Sequence, residues 1–262
     1  MNSSPQSLPV NLSQQRHPHH LPNTPILTVD HVSAGYESGR ALEDISFELT
    51  TGERKRILLN NIYGVDIDAQ AVEVTKLSLL LKVLEGETAD TLSSQLAMFR
   101  ERALPDLGSN IKCGNSLIGP DFYDGRQLTM LDEEEMYRIN AFDWNSKADG
   151  FGEIMQAGGF DAVIGNPPYL YSAGKDHQDY YSKKFHLGEY QVDFYIYFME
   201  QGINLTKKGG LYSFIVPDSW LNSEYFQIIR SSILQCHRLL QLAIFDYTVF
   251  KNASIENSIF VI

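Results

Sequence analysis

The chain has 262 residues, of which 43% are hydrophobic, and its formal net charge is −12 at pH 7. This length can bury a sizeable core, and only two cysteines occur, so a small domain held together by disulfides is excluded. The acidic balance disfavours nucleic-acid binding except through a local basic groove or a separate module. Cys113 and Cys236 lie far apart in the sequence, and we expect both to be reduced, interior thiols. We predict no metal site.

Residues 1–25 are rich in Pro, Ser, Asn, Gln and His, a composition typical of a disordered tail. The segment has no basic region followed by an apolar stretch, so no secretory signal is predicted. The longest apolar run of the chain is interrupted by Lys82, and no transmembrane helix is predicted either. We therefore expect a cytoplasmic protein that does not bind a membrane.

Residues 26–53 predict two short strands joined by a turn. This segment resembles the opening of an ABC-transporter ATPase subunit, in which two strands lead into a phosphate-binding loop. The loop sequence G-x-x-x-x-G-K-[ST] is missing, because Gly174-Lys175 is followed by Asp176 and the chain has no other Gly-Lys pair. We therefore predict that the chain does not bind ATP.

From residue 54 the pattern alternates between short strands and helices. Residues 63–67 predict a buried strand with Asp66 near its end, and Asp68 is placed to cap the next helix. The apolar residues of that helix follow helical spacing: Leu77, Leu80, Leu81 and Leu84. An amphipathic helix is predicted at residues 92–102 and a short strand at residues 111–113.

The second half of the chain continues this alternation. Residues 121–159 are irregular and partly acidic, which predicts a surface insertion. Residues 160–164 predict another buried strand and residues 193–205 a helix. The rest predicts, in order, a turn, a strand, a helix and two strands, at residues 207–210, 211–216, 224–234, 239–245 and 258–262. Strands alternating with helices predict an α/β fold with a mostly parallel, doubly wound sheet.

The tetrapeptide Asn166-Pro167-Pro168-Tyr169 follows the strand at residues 160–164 directly. In such sheets ligands bind at the carboxyl ends of the strands. The prolines fix the backbone and remove two amide donors, so the carbonyl groups and the Asn166 side-chain oxygen remain as acceptors. Acceptors at Asn166 and at the Pro167 carbonyl can draw the lone pair of an aromatic amine out of conjugation. Tyr169 can stack on a base flipped out of a duplex. A rigid turn that ends the strand is the structural alternative.

With this tetrapeptide in that position, residues 54–262 resemble the γ-type amino-methyltransferases. They resemble in particular the adenine-N6 DNA methyltransferases of bacterial restriction-modification systems, including fused restriction and modification enzymes. The resemblance implies a Rossmann-like, S-adenosyl-L-methionine-dependent methyltransferase sheet. It also implies methyl transfer to adenine N6 in double-stranded DNA with the target adenine flipped, and catalytic roles for Asn166, Pro167, Pro168 and Tyr169.

Three further segments are similar to motifs of the same family. Tyr63-Gly64-Val65-Asp66-Ile67-Asp68 resembles the second cofactor motif, which implies that Asp66 accepts hydrogen bonds from the ribose and that Ile67 lies against the adenine ring. Residues 113–117 resemble the third motif, which implies a contact between Asn115 and the adenine N6 of the cofactor. Phe250 lies in a late motif whose aromatic residue packs against the flipped base. A helix-capping turn and plain core packing are the alternatives for Asp66 and Phe250.

The family's first motif, an acidic residue and a Gly-rich turn after the first strand, has no counterpart upstream of Asp66. The ATPase-like residues 26–53 stand in its place. We therefore expect a sheet without its first strand and Gly-rich loop, in a methyltransferase region at residues 54–262 that is incomplete at both ends. We also expect weak binding of S-adenosylmethionine and little activity from this chain alone.

Two alternatives stay open. The same tetrapeptide serves enzymes that methylate a glutamine amide of translation release factors, although the long stretches at residues 121–159 and 175–191 favour a nucleic-acid substrate. The other alternative is a fusion fragment without catalysis. The sequence carries no signal for an oligomeric state.

Overall fold

The structure of the chain is a computed structural model. It describes residues 27–36, 39–85, 105–125, 133–169, 175–188, 193–245, 247, 249–250 and 255–262. The predicted tail at residues 1–25 and the predicted helix at residues 92–102 lie outside the described residues. The chain divides into two compact units, residues 1–63 with 74–110, and residues 64–73 with 111–262.

The first unit contains the predicted pair of strands, β1 (Leu27–Tyr36) and β2 (Gly39–Leu49), which are antiparallel. Helix α1 (Thr51–Asn61) follows directly, and its first turn is closed by a capping box. The Thr50 hydroxyl accepts from the Glu53 backbone N–H at 3.2 Å, and the Glu53 carboxylate accepts from the Thr50 N–H at 2.9 Å. These bonds satisfy two of the backbone donors that a helix N-terminus leaves free.

Helix α2 (Ala69–Leu84) begins where the sequence predicted it. The Asp68 carboxylate accepts from the Gln70 backbone N–H at 2.8 Å, which confirms Asp68 as the capping residue. The leucine stripe of α2 is only partly covered, because Leu77 and Leu81 are 55% and 57% exposed. Helical spacing therefore predicted the helix correctly, although no described element covers all of its apolar side.

The second unit holds two sheets. Strands β3 (Gly64–Asp66) and β4 (Ile111–Cys113) form a parallel pair. The other sheet has four strands in the order β5-β6-β8-β7, which are β5 (Phe160–Gly165), β6 (Thr206–Pro217), β7 (Gln241–Ile244) and β8 (Asn257–Val261). Strands β5 and β6 are parallel, and β8 is antiparallel to both β6 and β7. Strand β6 includes residues 207–210, where a turn was predicted.

The two sheets are not joined by a strand within the described residues. There, β3 pairs only with β4, and β5 pairs only with β6. The prediction that β3 and β5 are buried was wrong: Val65 is half-buried, and Ile164 is 84% exposed. No described element covers the side of β5 on which Ile164 lies.

The helices of the second unit are α3 (Glu133–Ile139), α4 (Gly152–Gln156), α5 (Lys175–Lys184), α6 (Phe194–Leu205), α7 (Ser219–Asn222) and α8 (Gln227–Cys236). Short 3₁₀ turns occupy Pro120–Tyr123 and Glu224–Phe226. The core forms where α6 and α8 pack with the central strands, and its side chains with 0–1% exposure include Tyr195, Ile196, Met199, Tyr212, Val216, Ile229, Ile233 and Phe260. This core supports the strands that carry the tetrapeptide.

Two further predictions about burial were wrong. The described parts of the segment at residues 121–159, which are 121–125 and 133–159, are not a surface insertion, because their apolar side chains Phe122, Ile139, Phe142 and Phe151 are 3–5% exposed. Both thiols are free but exposed, Cys113 at the end of β4 and Cys236 at the end of α8, whereas interior thiols were predicted. In the part of the chain that the structure describes, no helix combines the length and the apolar character needed to cross a membrane.

Candidate active site

The tetrapeptide begins directly after β5, where the strand packs tightly against its neighbour. A side chain on Gly165 would place its Cβ 2.7 Å from the Phe214 ring on β6. Only glycine fits at such a separation without displacing the ring. Gly165 thus leaves room for the Phe214 ring at the carboxyl end of β5, directly before Asn166.

The Tyr169 hydroxyl group forms a hydrogen bond with the side chain of Asn166. The hydroxyl donates to the Asn166 side-chain oxygen at 2.9 Å, with the Ile215 carbonyl oxygen farther away at 3.3 Å. It accepts in turn from the Asn257 side-chain N–H at 3.2 Å. Burial raises the pKa of the Tyr169 phenol, so the hydroxyl keeps its proton at neutral pH and remains a donor.

The rest of the tetrapeptide offers acceptors and an aromatic surface. Pro167 is buried, Pro168 is exposed, and neither has a backbone N–H. Asn166 is exposed, and its amide oxygen has a second lone pair beyond the one that receives Tyr169. The Phe250 ring lies beside the Tyr169 ring, with 6.4 Å between the centroids and 60° between the planes. The structure thus brings together the two rings that the sequence singled out for base stacking.

The predicted cofactor residues lie at the ends of β3 and β4. Because the two strands are parallel and Asp66 is in register with Cys113, residues that follow both strands share one edge of the sheet. The Asp66 carbonyl accepts from the Gly114 N–H at 2.8 Å, and its exposed carboxylate accepts from the Asp68 N–H, also at 2.8 Å. Ile67 is 53% exposed beside it. An acidic group and an apolar side chain therefore face solvent together.

Asn115 organises the turn after β4. Its side-chain oxygen accepts from the backbone N–H groups of Leu117 at 3.0 Å and Ile118 at 3.2 Å. These two bonds use both lone pairs of the amide oxygen. The preceding residue is again a glycine in close contact with a ring, because a Cβ on Gly114 would lie 2.7 Å from Phe142. A Gly-Asn pair therefore lies at the carboxyl end of both β4 and β5.

An aromatic cluster connects the end of β4 with the start of β5. It consists of Phe142, Trp144, Phe151 and Phe160, with neighbouring centroids 5.1–6.2 Å apart. The Trp144 indole N–H donates to the Ser116 carbonyl at 3.1 Å. The cluster thereby packs the turn that holds Asn115 against the strand that leads to Asn166.

Sequence reasoning missed Asn257 in this site. The residue begins β8, is 0% exposed, and its contact with Tyr169 joins positions 88 residues apart. Nothing in the residues around Asn257 indicates that contact. The one available signal was the polar pair Asn257-Ser258 at the start of an apolar strand, because buried polar residues need partners.

A family model described as Eco57I restriction-modification methylase matches residues 60–250, well over half of the chain. The chain is 30% identical over 217 residues to the type II restriction enzyme and methyltransferase RM.Eco57I of Escherichia coli, covering 80% of this chain and 19% of that protein. It is 25% identical over 119 residues to the adenine-specific methyltransferase PglX of Streptomyces coelicolor, covering 45% of this chain and 9% of that protein. The chain thus spans less than a fifth of the length of either relative.

Among solved structures, the cryo-EM structure of a DrdV–DNA complex superposes with a TM-score of 0.49 at 11% identity, covering 81% of this chain and 21% of that chain. The crystal structure of the EcoKI M protein, from a type I restriction enzyme, superposes with a TM-score of 0.39 at 14% identity, covering 79% of this chain and 40% of that chain.

Proposed function

We propose a methyl-transfer function from one premise: the chain belongs to the Eco57I restriction-modification methylase family. On this proposal, residues 54–262 are the catalytic region of an adenine-specific DNA methyltransferase that uses S-adenosylmethionine. The family model begins at residue 60, so it gives no support to the resemblance of the β1–β2 pair to an ABC-transporter ATPase.

One observation carries the proposal: the Tyr169 hydroxyl donates to the side-chain oxygen of Asn166. This bond holds the amide with its oxygen directed towards the aromatic ring that is to receive a base. The second lone pair of that oxygen, together with the Pro167 carbonyl, then accepts the two N–H groups of the exocyclic amine. Both bonds favour a tetrahedral amine nitrogen, whose lone pair is free to attack.

S-adenosylmethionine supplies a methyl group on a sulfonium sulfur. The cofactor would supply this methyl carbon to the amine nitrogen, whose new bond to carbon would replace the carbon–sulfur bond, so that the sulfur would leave as a neutral thioether. The nitrogen then carries an extra proton, which it loses to solvent after the transfer. Asn166 and Pro167 act by orienting the amine, so no strong base is required before the attack.

The two rings at the site support a proposed position for the target base. Tyr169 is fixed by hydrogen bonds to Asn166 and from Asn257, whereas Phe250 makes a tilted contact with it at 60°. A flat base stacks in parallel on a ring face. We therefore assign Tyr169 as the fixed stacking surface and Phe250 as the ring that adjusts when an adenine flips out of double-stranded DNA.

The residues at the ends of β3 and β4 fit the nucleoside part of the cofactor. The Asp66 carboxylate, which gives one oxygen to the Asp68 N–H, keeps its other oxygen for the ribose hydroxyls, and the exposed Ile67 suits the face of the adenine. The side-chain oxygen of Asn115 already accepts two backbone N–H groups. Its NH₂ group is therefore the part available to the cofactor, and it matches a ring nitrogen of adenine rather than the N6 amine.

The partner on this proposal is double-stranded DNA, and the proposed location is the cytoplasm. The similarity to a restriction enzyme and methyltransferase supports this choice of substrate. We further propose that the chain does not bind ATP, since the β1–β2 pair leads into helix α1 without a Gly-rich phosphate loop. Isothermal calorimetry should show no saturable binding of ATP.

The test follows methyl groups from S-adenosylmethionine into two substrates. Adenine-containing duplex DNA and a glutamine-containing release-factor peptide are incubated separately with the chain for long times, and the products are identified by mass spectrometry. We expect slow formation of N6-methyladenine that Asn166→Ala abolishes. Methylation of the peptide would support the glutamine alternative, and no methylation of either substrate would support an inactive fusion fragment.

A further inference from the structure

Asn257 is a buried polar residue in a strand whose neighbours are mostly apolar. It is 0% exposed, and its side-chain N–H donates to the Tyr169 hydroxyl at 3.2 Å. Its side-chain oxygen is buried and has no hydrogen-bond partner among the described residues. A buried acceptor without a partner costs stability. An apolar side chain of similar size would avoid that cost, so the fold keeps the amide for its N–H.

The N–H of Asn257 determines the direction of the next hydrogen bond. A phenol has a single proton, and Tyr169 has a polar atom of Asn257 on one side and the Asn166 oxygen on the other, at 2.9 Å. While Asn257 donates, the Tyr169 oxygen is an acceptor on that side, and its own proton is left for the Asn166 oxygen at 2.9 Å or the Ile215 carbonyl oxygen at 3.3 Å, of which Asn166 is the nearer. If the amide were reversed, the Tyr169 proton would be drawn to Asn257, and Asn166 would lose the bond that orients it.

We propose that Asn257 is the positioning residue of this site, whose N–H fixes Tyr169 as the donor that orients the amide oxygen of Asn166 towards the target amine. Asn257 acts through Tyr169 and does not itself contact a substrate. The reaction it serves is the one under Proposed function, on which this role rests. The hydrogen bonds themselves are measurable without any turnover.

The neighbouring residue provides a matched control. Ser258 is also 0% exposed and also forms a buried hydrogen bond, because its hydroxyl accepts from the Trp220 indole N–H at 2.9 Å. That bond does not involve the tetrapeptide. Ser258→Ala therefore removes a buried polar contact from the same strand without touching Tyr169 or Asn166.

The experiment uses NMR to follow Tyr169 and Asn166, the two residues joined by the hydrogen bond that Asn257 is proposed to direct. In protein labelled with 3-fluorotyrosine, the ¹⁹F signal of Tyr169 is identified by its loss in Tyr169→Phe, and its alkaline titration is followed. In protein labelled with ¹⁵N-asparagine, the side-chain NH₂ signals of Asn166 are identified by their loss in Asn166→Ala. Asn257→Leu, Asn257→Asp and Ser258→Ala are compared with the wild type, and thermal melting reports whether each variant is folded.

We expect Asn257→Leu to raise the Tyr169 titration midpoint by about one pH unit, because the phenolate loses a donor. The Asn166 signals should shift in the same variant, and Ser258→Ala should move neither signal. In Asn257→Asp, the protonated carboxyl donates as the amide did, whereas the ionised carboxylate accepts. Its Asn166 signals should therefore match the wild type at low pH and approach those of Asn257→Leu as the pH rises. This pH dependence of the Asn166 signals in Asn257→Asp tests the proposal if Asn257→Leu does not fold.

Three results would overturn the proposal. They are unchanged Asn166 signals in Asn257→Leu, equal shifts in Asn257→Leu and Ser258→Ala, and the absence of pH dependence in Asn257→Asp. Methyl transfer is measured on the same samples. If the NMR signals behave as expected while the wild type methylates neither DNA nor peptide, the hydrogen bonds stand and the proposed function fails.

Discussion

The two sheets of the second unit differ in how firmly the rest of the chain holds them. The four-stranded sheet packs against α6 and α8, and Tyr212 and Phe260 on its strands are 0–1% exposed. The β3–β4 pair has three residues in each strand, its Val65 is half-buried, and Asp66 is exposed. The two parts of the candidate site therefore differ in how well the surrounding residues hold them. The part proposed to bind the amine is held by the core, whereas β3, which carries Asp66 at its end, has little burial of its own.

Two substitutions, one in each sheet, should show this difference in burial most strongly. Phe260→Ala removes a ring that contacts Tyr212 and Trp220, with centroids 5.2 and 5.4 Å away, and should cost about 3–5 kcal/mol. Val65→Ala, on half-buried β3, should cost about 0.8 kcal/mol or less. Urea denaturation of both variants provides the comparison. Equal losses would mean that the two sheets are held equally well.

Asn166→Ala tests whether the firmly held part carries the chemistry. Since Asn166 is assigned to the amine, methyl transfer should fall on the order of a hundredfold or more, while affinity for S-adenosylmethionine stays nearly unchanged. Rates come from mass spectrometry of DNA and affinities from calorimetry. Asn222→Ala, at an exposed residue of α7, is the control and should change neither. A parallel loss of cofactor affinity would contradict the division of roles.

Asp66→Asn tests the part of the site that is proposed to bind the cofactor. The amide keeps the size of the side chain but removes the charge that accepts from ribose hydroxyls, and a charge-assisted hydrogen bond is worth about a factor of ten in affinity. We expect S-adenosylmethionine to bind about tenfold more weakly, with the rate at saturating cofactor nearly retained. A variant that binds the cofactor normally but no longer transfers methyl groups would assign Asp66 to the chemistry instead.

The smallest effect should come from a charged pair on the surface of the four-stranded sheet. Lys207 on β6 bonds to Asp161 on β5 and, by hydrogen bonding and charge, lowers the pKa of the Asp161 carboxyl. The pair therefore stabilises the fold above the ordinary pKa of the carboxyl, and this contribution is lost as the pH falls through the lowered value. Asp161→Asn should change the melting temperature little at pH 7, because exposed pairs are weak. A large change would mean that surface charges contribute much of the stability of this sheet.

Local pattern was enough to predict the strands and the helices α2, α6 and α8, whereas α1, α3, α4, α5 and α7 were not predicted. It was also not enough to predict what covers these elements. The capping role of Asp68 follows from its position before an apolar helix. The exposure of Leu77, Leu81 and Ile164 does not follow from spacing, because apolar periodicity identifies a face without identifying its partner.

The site divides in the same way. The tetrapeptide was predictable because its chemistry is contiguous in sequence, and Phe250 was predictable only through a family resemblance. Asn257 was not predictable, since its role depends on a contact that exists only after β8 is in place beside β6. Similarly, the ring of Phe142 against Gly114 makes a core segment of what composition suggested was an insertion.

The outer edge of β5 affects how the protein behaves in concentrated solution. No described strand pairs with that edge, and Ile164 stands 84% exposed next to it. An open edge with an apolar side chain is a template on which a strand of another molecule can add. Light scattering should therefore show self-association that grows with protein concentration. Ile164→Lys should suppress it, because a charge near a strand edge opposes the approach of a second chain.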